Sequence, residues 1–301
     1  MKLTPQQLHI PALLRATARF LRPEKSDRYL DLTAGYGGHA LEIITATGDA
    51  RSAVLIDRDE DAIKVLRKKF PQSRLLHSDF LAAARELVRD GEKFDMILAD
   101  FGVSSPQLDM AERGFSFMRD GPLDMRMDGG AGETAAELIG RLKEKALTDI
   151  IIRFGEEKPK LAARIAKALK RGRPTTTVQA AKIIARQYGG GYHKIHPATR
   201  TFQALRIAVN DELGQIDETL RLLPELLADG GRVAIISFHS LEDRLVKQFF
   251  KEHSEAGYEA DLEILTKKAI RGDTEDVNNP RARSAKLRVA RKIKKPTERR
   301  F

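Results

Sequence analysis

Short apolar runs and longer amphipathic stripes alternate along the first hundred residues of the chain. Apolar runs at 29–34, 54–57, 74–77 and 95–100 predict strands, and the segments between them carry apolar residues at the spacing of a helix. Single helices between successive strands predict a parallel sheet with right-handed crossovers. The pattern therefore indicates an α/β domain with a doubly wound sheet.

The hydrophobic pattern changes after residue 100. The next clear strand-like run, 231–238, follows after roughly 130 residues, whereas an ordinary crossover takes about 30. Apolar residues in this interval have helical spacing, interrupted by glycines and prolines. The predicted helices lie at 134–145, 147–153, 160–170, 178–188 and 201–227. We expect a helical insertion at 107–205 and a sheet domain formed by 1–106 and 206–301.

Two later strand-like runs, 262–268 and 285–291, follow a predicted helix at 241–253. They would complete a seven-stranded sheet, the arrangement typical of S-adenosylmethionine-dependent methyltransferases. The insertion leaves the sheet after the fourth strand, at the carboxyl edge where doubly wound folds bind ligands. We therefore expect the insertion to cover a bound ligand and to hold the molecule that reacts with it.

A glycine-rich turn follows the first predicted strand and precedes a helix. Gly35, Gly37 and Ala40 fit the G-x-G-x-x-G/A pattern of NAD-binding proteins, but so short a pattern is common by chance. Asp31 favours S-adenosylmethionine instead, because a carboxylate there repels a pyrophosphate and accepts hydrogen bonds from an ammonium group. Asp57, after the second strand, can chelate ribose hydroxyls. A plain strand-end or capping carboxylate is the alternative interpretation of Asp57.

The composition narrows the chemistry. The 301 residues include no cysteine, which excludes disulfides, cysteine-ligated metals and a thiolate nucleophile. The seven histidines are scattered without ligand-like spacing, so we expect no metal site. No apolar run approaches the ~20 residues needed to span a bilayer, and 1–22 lacks the features of a signal peptide. We expect a cytoplasmic protein that does not bind membranes.

The net charge of +10 is concentrated in two regions. Residues 153–200 hold twelve Lys or Arg against two Glu, and residues 281–301 hold ten against one. A solvated tail or an ordinary basic helix explains either region alone. Together they favour a polyanionic partner, most simply a nucleic acid.

A set of long motifs follows the same order as in a known family. The motifs are His-Ile-Pro at 9–11, Gly-Tyr-Gly-Gly-His at 35–39, Asp-Arg-Asp at 57–59, and the segments 100–109, 113–118, 121–128, 154–157, 196–204, 237–244 and 279–285. On these motifs the chain closely resembles, nearly end to end, the ribosomal RNA small subunit methyltransferase family that methylates the N4 amino group of a cytidine in 16S rRNA. The resemblance implies a class I S-adenosylmethionine-dependent methyltransferase fold and the small ribosomal subunit as partner.

The resemblance also assigns residues to the methyl donor. Those expected to bind S-adenosylmethionine are Gly37, Gly38, His39, Asp57, Phe80, Asp100 and Gln107. Asp57 would bind the ribose, Phe80 would lie beside the adenine, and the main-chain N–H of His39 can serve without its imidazole. Small departures from the family pattern, such as Phe101 in place of the common Leu, remove no needed polar group.

The acceptor chemistry identifies candidate catalytic residues. The cytosine amine is a poor nucleophile because its lone pair is delocalised into the ring, so transfer requires close alignment and an acceptor for the amine protons. Asp100 is the first candidate, although the methyl donor competes for it. Asp124 is the second, with pairing to Arg126 as an equally good interpretation.

Several residues are candidates for binding RNA. Phe115 and Phe117 are suited to stacking on a base, with packing in the core of the insertion as the alternative. His239 and Arg244 follow the fifth strand at the same sheet edge. Arg281 and Arg283 alternate with two later basic residues along a strand-like run, so that one face could contact phosphates.

Other functions remain open from the residues alone. A dehydrogenase rests on the glycine pattern and is disfavoured by Asp31. A non-catalytic RNA-binding or ribosome assembly factor that retains the fold is harder to separate, because basic surfaces and a pocket do not require turnover. DNA as the acceptor ranks low, and the chain is expected to be a monomer or a homodimer.

Overall fold

The computed structural model describes residues 11–103, 105–190, 193 and 195–293. Within the predicted motifs, His9, Ile10 and Ser104 lie outside the described residues. The chain divides into two compact units, one formed by Met1–Gly102 with Gly214–Phe301 and the other by Val103–Leu213. The sequence predicts the junctions at 106/107 and 205/206. No helix among the described residues is long and apolar enough to cross a bilayer.

The first unit is built on one sheet. Its strands are β1 Tyr29–Asp31, β2 Ala53–Asp57, β3 Arg74–His77, β4 Phe94–Asp100, β5 Leu227–Ser237, β6 Leu262–Ile264, β7 Ile270–Arg271 and β8 Lys286–Lys292. The order is β3-β2-β1-β4-β5-β8-β6, and β7 pairs with β8 beside this path. The first five strands are mutually parallel, whereas β8 is antiparallel to β5, β6 and β7. The predicted seven-stranded, doubly wound α/β fold is confirmed, with the two-residue strand β7 as an unpredicted addition.

The middle strands are apolar on both faces because helices cover both sides of the sheet. Leu30, Val54 and Ile97 belong to one buried cluster. Tyr29 and Leu55 belong to a second, in agreement with the alternation of side chains along a strand. The sheet therefore has a core on each side.

Among the residues that the structure describes, seven α-helices belong wholly or largely to the first unit. They are α1 Leu14–Leu21, α2 Gly38–Thr47, α3 Glu60–Lys69, α4 Phe80–Arg89, α11 Glu212–Leu226, α12 Ser240–Ser254 and α13 Gly272–Glu275. The sequence predicts one helix over 201–227, but the structure has two, since Asp211 adopts a left-handed conformation with φ of 47° and ends the first of them. Helical spacing continues across this single residue, so the hydrophobic pattern does not reveal the break.

The second unit is helical, as predicted for the insertion. Its helices are α5 Ser105–Asp109, α6 Ala135–Arg141, α7 Glu144–Gly155, α8 Pro159–Gly172, α9 Thr177–Ala185 and α10 Ala198–Asn210. They enclose a core that includes Leu147, Ile165 and Leu205. Asn210 joins the loop before α6 to α10, since its side chain accepts from the Met127 N–H and donates to the Met125 carbonyl, both at 2.8 Å.

Candidate functional site

The glycine turn begins where β1 ends. Leu32 donates to the Leu98 carbonyl and Ala34 donates to the Ile56 carbonyl, so the main chain bonds to a neighbouring strand on each side in turn. Gly35 and Gly37 then adopt positive φ values of 51° and 76°, which side chains rarely tolerate. The turn delivers the chain into the N-terminus of α2, where main-chain N–H groups point out of the helix.

Packing also demands glycine at two of the predicted donor-binding positions. A Cβ on Gly37 would lie 2.5 Å from Cε2 of Phe70, and a Cβ on Gly38 would lie 2.3 Å from Cγ of Pro11. Both distances are shorter than the non-bonded contacts that Cβ atoms make, so a side chain at either position would clash with the protein. Gly37 and Gly38 can therefore contribute to a ligand only through their main chain.

Asp57 braces the turn from the neighbouring strand. One of its carboxylate oxygens accepts from the Gly35 N–H and the other accepts from the Asp59 N–H, both at 2.8 Å. A carboxylate oxygen accepts two hydrogen bonds, so each retains capacity for a hydroxyl group. Burial raises the pKa of Asp57, and the two main-chain N–H groups oppose that rise. The carboxylate is thus held in place, and each of its oxygens keeps the capacity to accept one more hydrogen bond.

Asp31 is buried at the end of β1. The Tyr29 hydroxyl donates to one of its oxygens at 2.8 Å, and the Thr33 N–H donates to the other at 3.2 Å. Burial raises the pKa of Asp31 to about 7, although both hydrogen bonds lower it and the nearby Asp57 charge adds to the rise. Because burial makes the Asp31 carboxyl group costly to ionise, a cation beside it would stabilise the ionised form.

Asp100 ends β4 on the other side of β1. Its main-chain N–H donates to Oγ1 of Thr33 at 2.6 Å, and its Oδ2 lies 3.8 Å from Nε2 of His39. The Oδ1 atom is buried and accepts no hydrogen bond from any residue that the structure describes. Burial raises the pKa of Asp100 well above its usual range, and the carboxylates of Asp31 and Glu242 raise it further.

These carboxylates lie on three adjacent strands. The sheet register pairs Asp31 with Leu55 on β2 and with Leu98 on β4, so Asp57 and Asp100 lie two residues further towards the carboxyl edge. Three acids gathered at one edge of the sheet repel each other unless a cation separates them. The cluster suits a ligand with positive charges and a diol, and it is unsuited to a pyrophosphate.

His39 lies at the start of α2, and its side chain is 7% exposed. The imidazole faces Asp100 rather than solvent, so its position is set by the protein. The sequence leaves open whether His39 acts only through its main chain. In the structure its imidazole lies beside the Asp100 carboxyl group, whose pKa is raised.

Phe80 lies at the first residue of α4, after β3. Its ring contacts the Phe101 ring with centroids 5.6 Å apart and an interplanar angle of 47°. Asp79, the residue before Phe80, caps α4 by accepting from the Ala82 N–H at 2.8 Å. Phe80 is half-buried against the core, so part of its ring remains accessible to a flat ligand.

The predicted donor-binding residue Gln107 and the predicted catalytic residue Asp124 belong to the helical unit. Gln107 is buried on α5. Asp124 forms a bidentate pair with Arg126, with both nitrogen–oxygen distances at 2.8 Å. Burial raises the pKa of Asp124, but the Arg126 guanidinium outweighs it and holds the pKa below its usual range. A carboxylate so paired is a weak base, so the ion-pair interpretation accounts for Asp124.

The two phenylalanines predicted to stack on a base differ in burial. Phe115 is buried in the core of the helical unit, with the Arg113 guanidinium 5.9 Å from its ring centroid. Phe117 is half-buried and packs against the exposed ring of His196 at 4.5 Å and against Phe202 at 4.9 Å. Core packing therefore explains Phe115, whereas Phe117 stays a candidate for stacking.

The residues after β5 also differ from one another. His239 is half-buried as the N-cap of α12, where its Nδ1 accepts from the Glu242 N–H at 3.4 Å and its Nε2 lies 3.0 Å from Oε1 of Glu242. Glu242 in turn accepts from the Phe238 N–H at 2.7 Å. Arg244 is exposed on the same helix. The structure thus gives His239 a capping role, whereas Arg244 stays a candidate for contact with the acceptor.

Arg281 and Arg283 are exposed, but they are not on a strand. Arg281 lies in a short 3₁₀ helix, Pro280–Ala282, and β8 begins only at Lys286. The predicted strand-like alternation over these residues is therefore wrong at its start, because Pro280 and the Asn279 cap favour a turn. Lys286 and Arg288 do lie on β8, where both pair with Asp243 at 2.9 and 2.7 Å.

Three residues that complete these networks were missed. Thr33 bridges β1 and β4, while Glu242 and Asp243 organise the start of α12. Glu242 and Asp243 lie within the motif 237–244, but nothing in the pattern separates a buried acid from an exposed one. The Thr33 contact joins residues 67 positions apart, so local spacing does not predict it.

Sequence comparison places the chain among known methylases. The sequence model of the MraW methylase family matches residues 6–293. The chain is similar to a ribosomal RNA small subunit methyltransferase H from Acidobacterium capsulatum, with 44% identity over 300 residues that cover 95% of this chain and 99% of that protein. A protein of the same name from Cyanothece sp. is 44% identical over 294 residues and 97% of each chain. A solved rRNA methylase from Streptococcus thermophilus aligns at 8% identity with a TM-score of 0.43, over 98% of this chain and 99% of that one, which is too loose to bear on function.

Proposed function

The chain belongs to the MraW methylase family, and we propose that it transfers a methyl group from S-adenosylmethionine to the N4 amino group of a cytidine in 16S rRNA of the small ribosomal subunit. The observation that carries the donor assignment is the cluster of Asp31, Asp57 and Asp100 at the carboxyl edge of adjacent strands. A non-catalytic assembly factor has no need of this cluster, whose raised pKa values make it costly without a cationic ligand.

The residues of the cluster fit the donor part by part. Asp57 has free lone pairs for the ribose hydroxyls while it holds the Gly35 N–H. Asp31 and the buried Oδ1 of Asp100 offer negative charge to the ammonium and sulfonium. Gly38 and His39, at the N-terminus of α2, are proposed to bind the methionine carboxylate. The Gly37 N–H already donates to the Ala34 carbonyl at 2.8 Å, so Gly37 is proposed to contact the donor through the rest of its main chain. Phe80 offers a ring edge beside the adenine, and Gln107 is proposed to contact the methionine end.

Asp100 is also suited to the acceptor side of the reaction. The bound donor supplies an electrophilic methyl group on a sulfonium, so the protein has only to align the amine and take up a proton. Once the sulfonium charge has been lost in the transfer, burial again raises the pKa of the Asp100 carboxyl, which makes it a stronger base than an exposed aspartate. We assign proton uptake from the cytosine N4 to Asp100, and Asp124 is not used because Arg126 neutralises it.

RNA binding is assigned to exposed groups on both units. Phe117, half-buried against His196, is proposed to stack on a base near the target cytidine. Arg244, Arg281 and Arg283 are exposed and are proposed to contact phosphates. The helical unit is proposed to recognise the substrate. We further propose a cytoplasmic protein that acts as a monomer or a homodimer, which light scattering on the purified chain would decide.

The test is methyl transfer from labelled S-adenosylmethionine. The acceptors are small subunits that lack the modification, naked 16S rRNA and duplex DNA. Wild type is compared with Asp57→Ala and with Asp61→Ala, a matched control whose carboxylate is 65% exposed on α3. We expect label in N4-methylcytidine of RNA for wild type and for Asp61→Ala, and none for Asp57→Ala.

Two results would contradict the proposal. Absence of S-adenosylmethionine binding to wild type would overturn the donor site. Binding without transfer to any of the three acceptors would favour the assembly-factor interpretation over the enzyme.

A further inference from the structure

A small cavity lies on the first unit at the far edge of the sheet from β3. Its volume is about 120 Å³, and its lining combines four cationic side chains with three others. The lining residues are Lys247, Phe250, Lys251, Ile264, Thr266, Lys267 and Arg288. The cavity thus lies between α12, the end of β6 and the start of β8, and it contains none of the residues assigned to the methyl donor.

The fold brings these cations together from three distant segments. Lys247 and Lys251 lie one helical turn apart on the exposed face of α12. Lys267 follows β6, whose partner β8 carries Arg288. Phe250 and Thr266 also line the cavity, and both are buried. The cavity is therefore built by the core of the unit and does not depend on a loop alone.

The acids near the cavity leave it positively charged. Asp243 is shared between Arg288 and Lys286 at 2.7 and 2.9 Å, and Glu255 lies 3.7 Å from Lys251. Lys247 and Lys267 form no ion pair with any residue that the structure describes. One acid thus fixes the Arg288 guanidinium in place, while the charges of Lys247 and Lys267 are not balanced by an ion pair among the described residues.

Size and charge together select the ligand. Pockets for drug-sized molecules are about 300–1,000 Å³, so a cavity of about 120 Å³ admits a small group rather than a nucleoside. A lysine acts as a flexible point charge, so it can bind a backbone phosphate whatever the nucleotide sequence. The unbalanced charges of Lys247 and Lys267, together with the fixed Arg288 guanidinium, are the elements of a phosphate subsite.

We infer that this cavity, lined by Lys247, Lys251, Lys267 and Arg288, binds a backbone phosphate of the RNA acceptor at a point remote from the methyl donor residues. This inference rests on the proposed function, because it takes the acceptor to be RNA. The subsite positions the RNA and carries no chemistry, since phosphate contacts set register while base contacts specify.

The test measures RNA binding as a function of salt, without turnover. Lys247→Gln combined with Lys267→Gln is compared with wild type and with a control in which Arg67 and Lys68 are both changed to Gln. These control residues are exposed on α3, beside β2 and β3 at the other end of the sheet. The probe is an unmodified 16S rRNA transcript, and inorganic phosphate is titrated separately.

We expect the salt slope of log K to become shallower by ~0.7 per lost contact, and the RNA dissociation constant near 0.1 M salt to rise about 10- to 30-fold for two contacts. The control double variant should show a markedly smaller change. S-adenosylmethionine affinity should be the same in all three proteins, which also confirms that the variants are folded.

Two outcomes would overturn the inference. A salt slope equal to that of the control variant would show that these lysines do not meet RNA. Saturable binding of inorganic phosphate that the lysine changes abolish, with RNA affinity unchanged, would identify a site for a free anion instead. The binding experiment does not depend on methyl transfer. A failed transfer assay would therefore count against the proposed function, while the RNA-binding result would still test the phosphate subsite.

Discussion

The carboxylate of Asp57 accepts a hydrogen bond from the main-chain N–H of Gly35 at 2.8 Å, across 22 residues of sequence. The contact joins the end of β2 to the glycine turn that follows β1. It fixes the turn at the edge of the sheet where β1 ends at Asp31 and β4 ends at Asp100. One side chain thus fixes the main chain of the turn, and its remaining lone pairs are those that we propose to bind the donor ribose.

Asp57→Asn should weaken S-adenosylmethionine binding about 10- to 100-fold. An amide keeps one acceptor oxygen but loses the charge, and hydrogen bonds to charged groups are worth about 1.5–3 kcal/mol. Isothermal titration measures the affinity directly, and Asp61→Asn on α3 is the control. Equal affinity in the two variants would mean that Asp57 only braces the turn.

Donor affinity should rise with pH between about 5 and 7. A cationic ligand binds ionised carboxylates, and Asp31 becomes ionised only as the pH approaches its pKa of about 7. Titrations at several pH values should show this rise in wild type and a smaller one in Asp31→Asn, whose affinity should also be lower at pH 7. A wild-type profile that is flat over this range would contradict the cation-binding role of Asp31.

The stability of the unliganded protein should fall as the pH rises from about 4 to 7. The folded-state pKa of Asp31, about 7, exceeds the unfolded value of 3.8, so the folded protein binds the proton more tightly over this interval. The Asp31 contribution is complete below pH ~4 and is lost as the pH passes ~7, on the order of 4 kcal/mol in the limit.

Urea unfolding at a series of pH values measures this dependence. Asp31→Asn removes the titrating group, so its free energy of unfolding should vary less over the same interval and exceed that of wild type near pH 7. A steeper pH dependence in the variant would show that another group is responsible.

Gly37→Ala should destabilise the protein by about 2–4 kcal/mol. The substitution adds strain at a φ of 76° and forces Phe70, 2.5 Å from the new Cβ, to move out of the core. Gly48→Ala at the other end of α2 is the matched control, since Gly48 has a φ of 72° and no atom within 4 Å of the added Cβ. Gly48→Ala should cost only about 1–2 kcal/mol.

Thermal or urea unfolding of the two alanine variants decides between strain and packing. Gly37→Ala combined with Phe70→Leu, which shortens the clashing side chain, should recover part of the loss. Equal destabilisation at both glycines would show that the conformational strain is the whole effect.

The pattern of the sequence predicts most of the sheet, because apolar runs bounded by glycines and acids have few other interpretations. It does not predict where a helix breaks on one residue, as at Asp211, since the energetic cost of a left-handed aspartate is outweighed by tertiary packing. It also misses β7, because two residues are too few to carry a period.

For the site, the sequence identifies acids by their position after strands, and Asp31, Asp57 and Asp100 do meet at one edge. It offers the pairing of Asp124 with Arg126 only as one of two equal interpretations, and it does not predict the contact of His239 with Glu242. Both contacts depend on rotamers and local turns. The same limit applies to Phe115, since a motif does not distinguish a buried ring from an accessible one.

Asn210→Ala should destabilise the helical unit by about 2–4 kcal/mol. The Asn210 side chain satisfies the Met127 N–H and the Met125 and Arg206 carbonyls in a buried setting, and groups left unsatisfied there cost about 1–3 kcal/mol each. Met125 itself has a φ of 65°, so the loop depends on outside contacts to keep this conformation. Urea unfolding measures the loss, with the exposed Asn278→Ala as control. Because Asn210 is remote in sequence from the donor turn and belongs to the other unit, S-adenosylmethionine affinity of the folded variant should stay within about 3-fold of wild type, and a larger drop would show that the 125–127 loop contributes to donor binding.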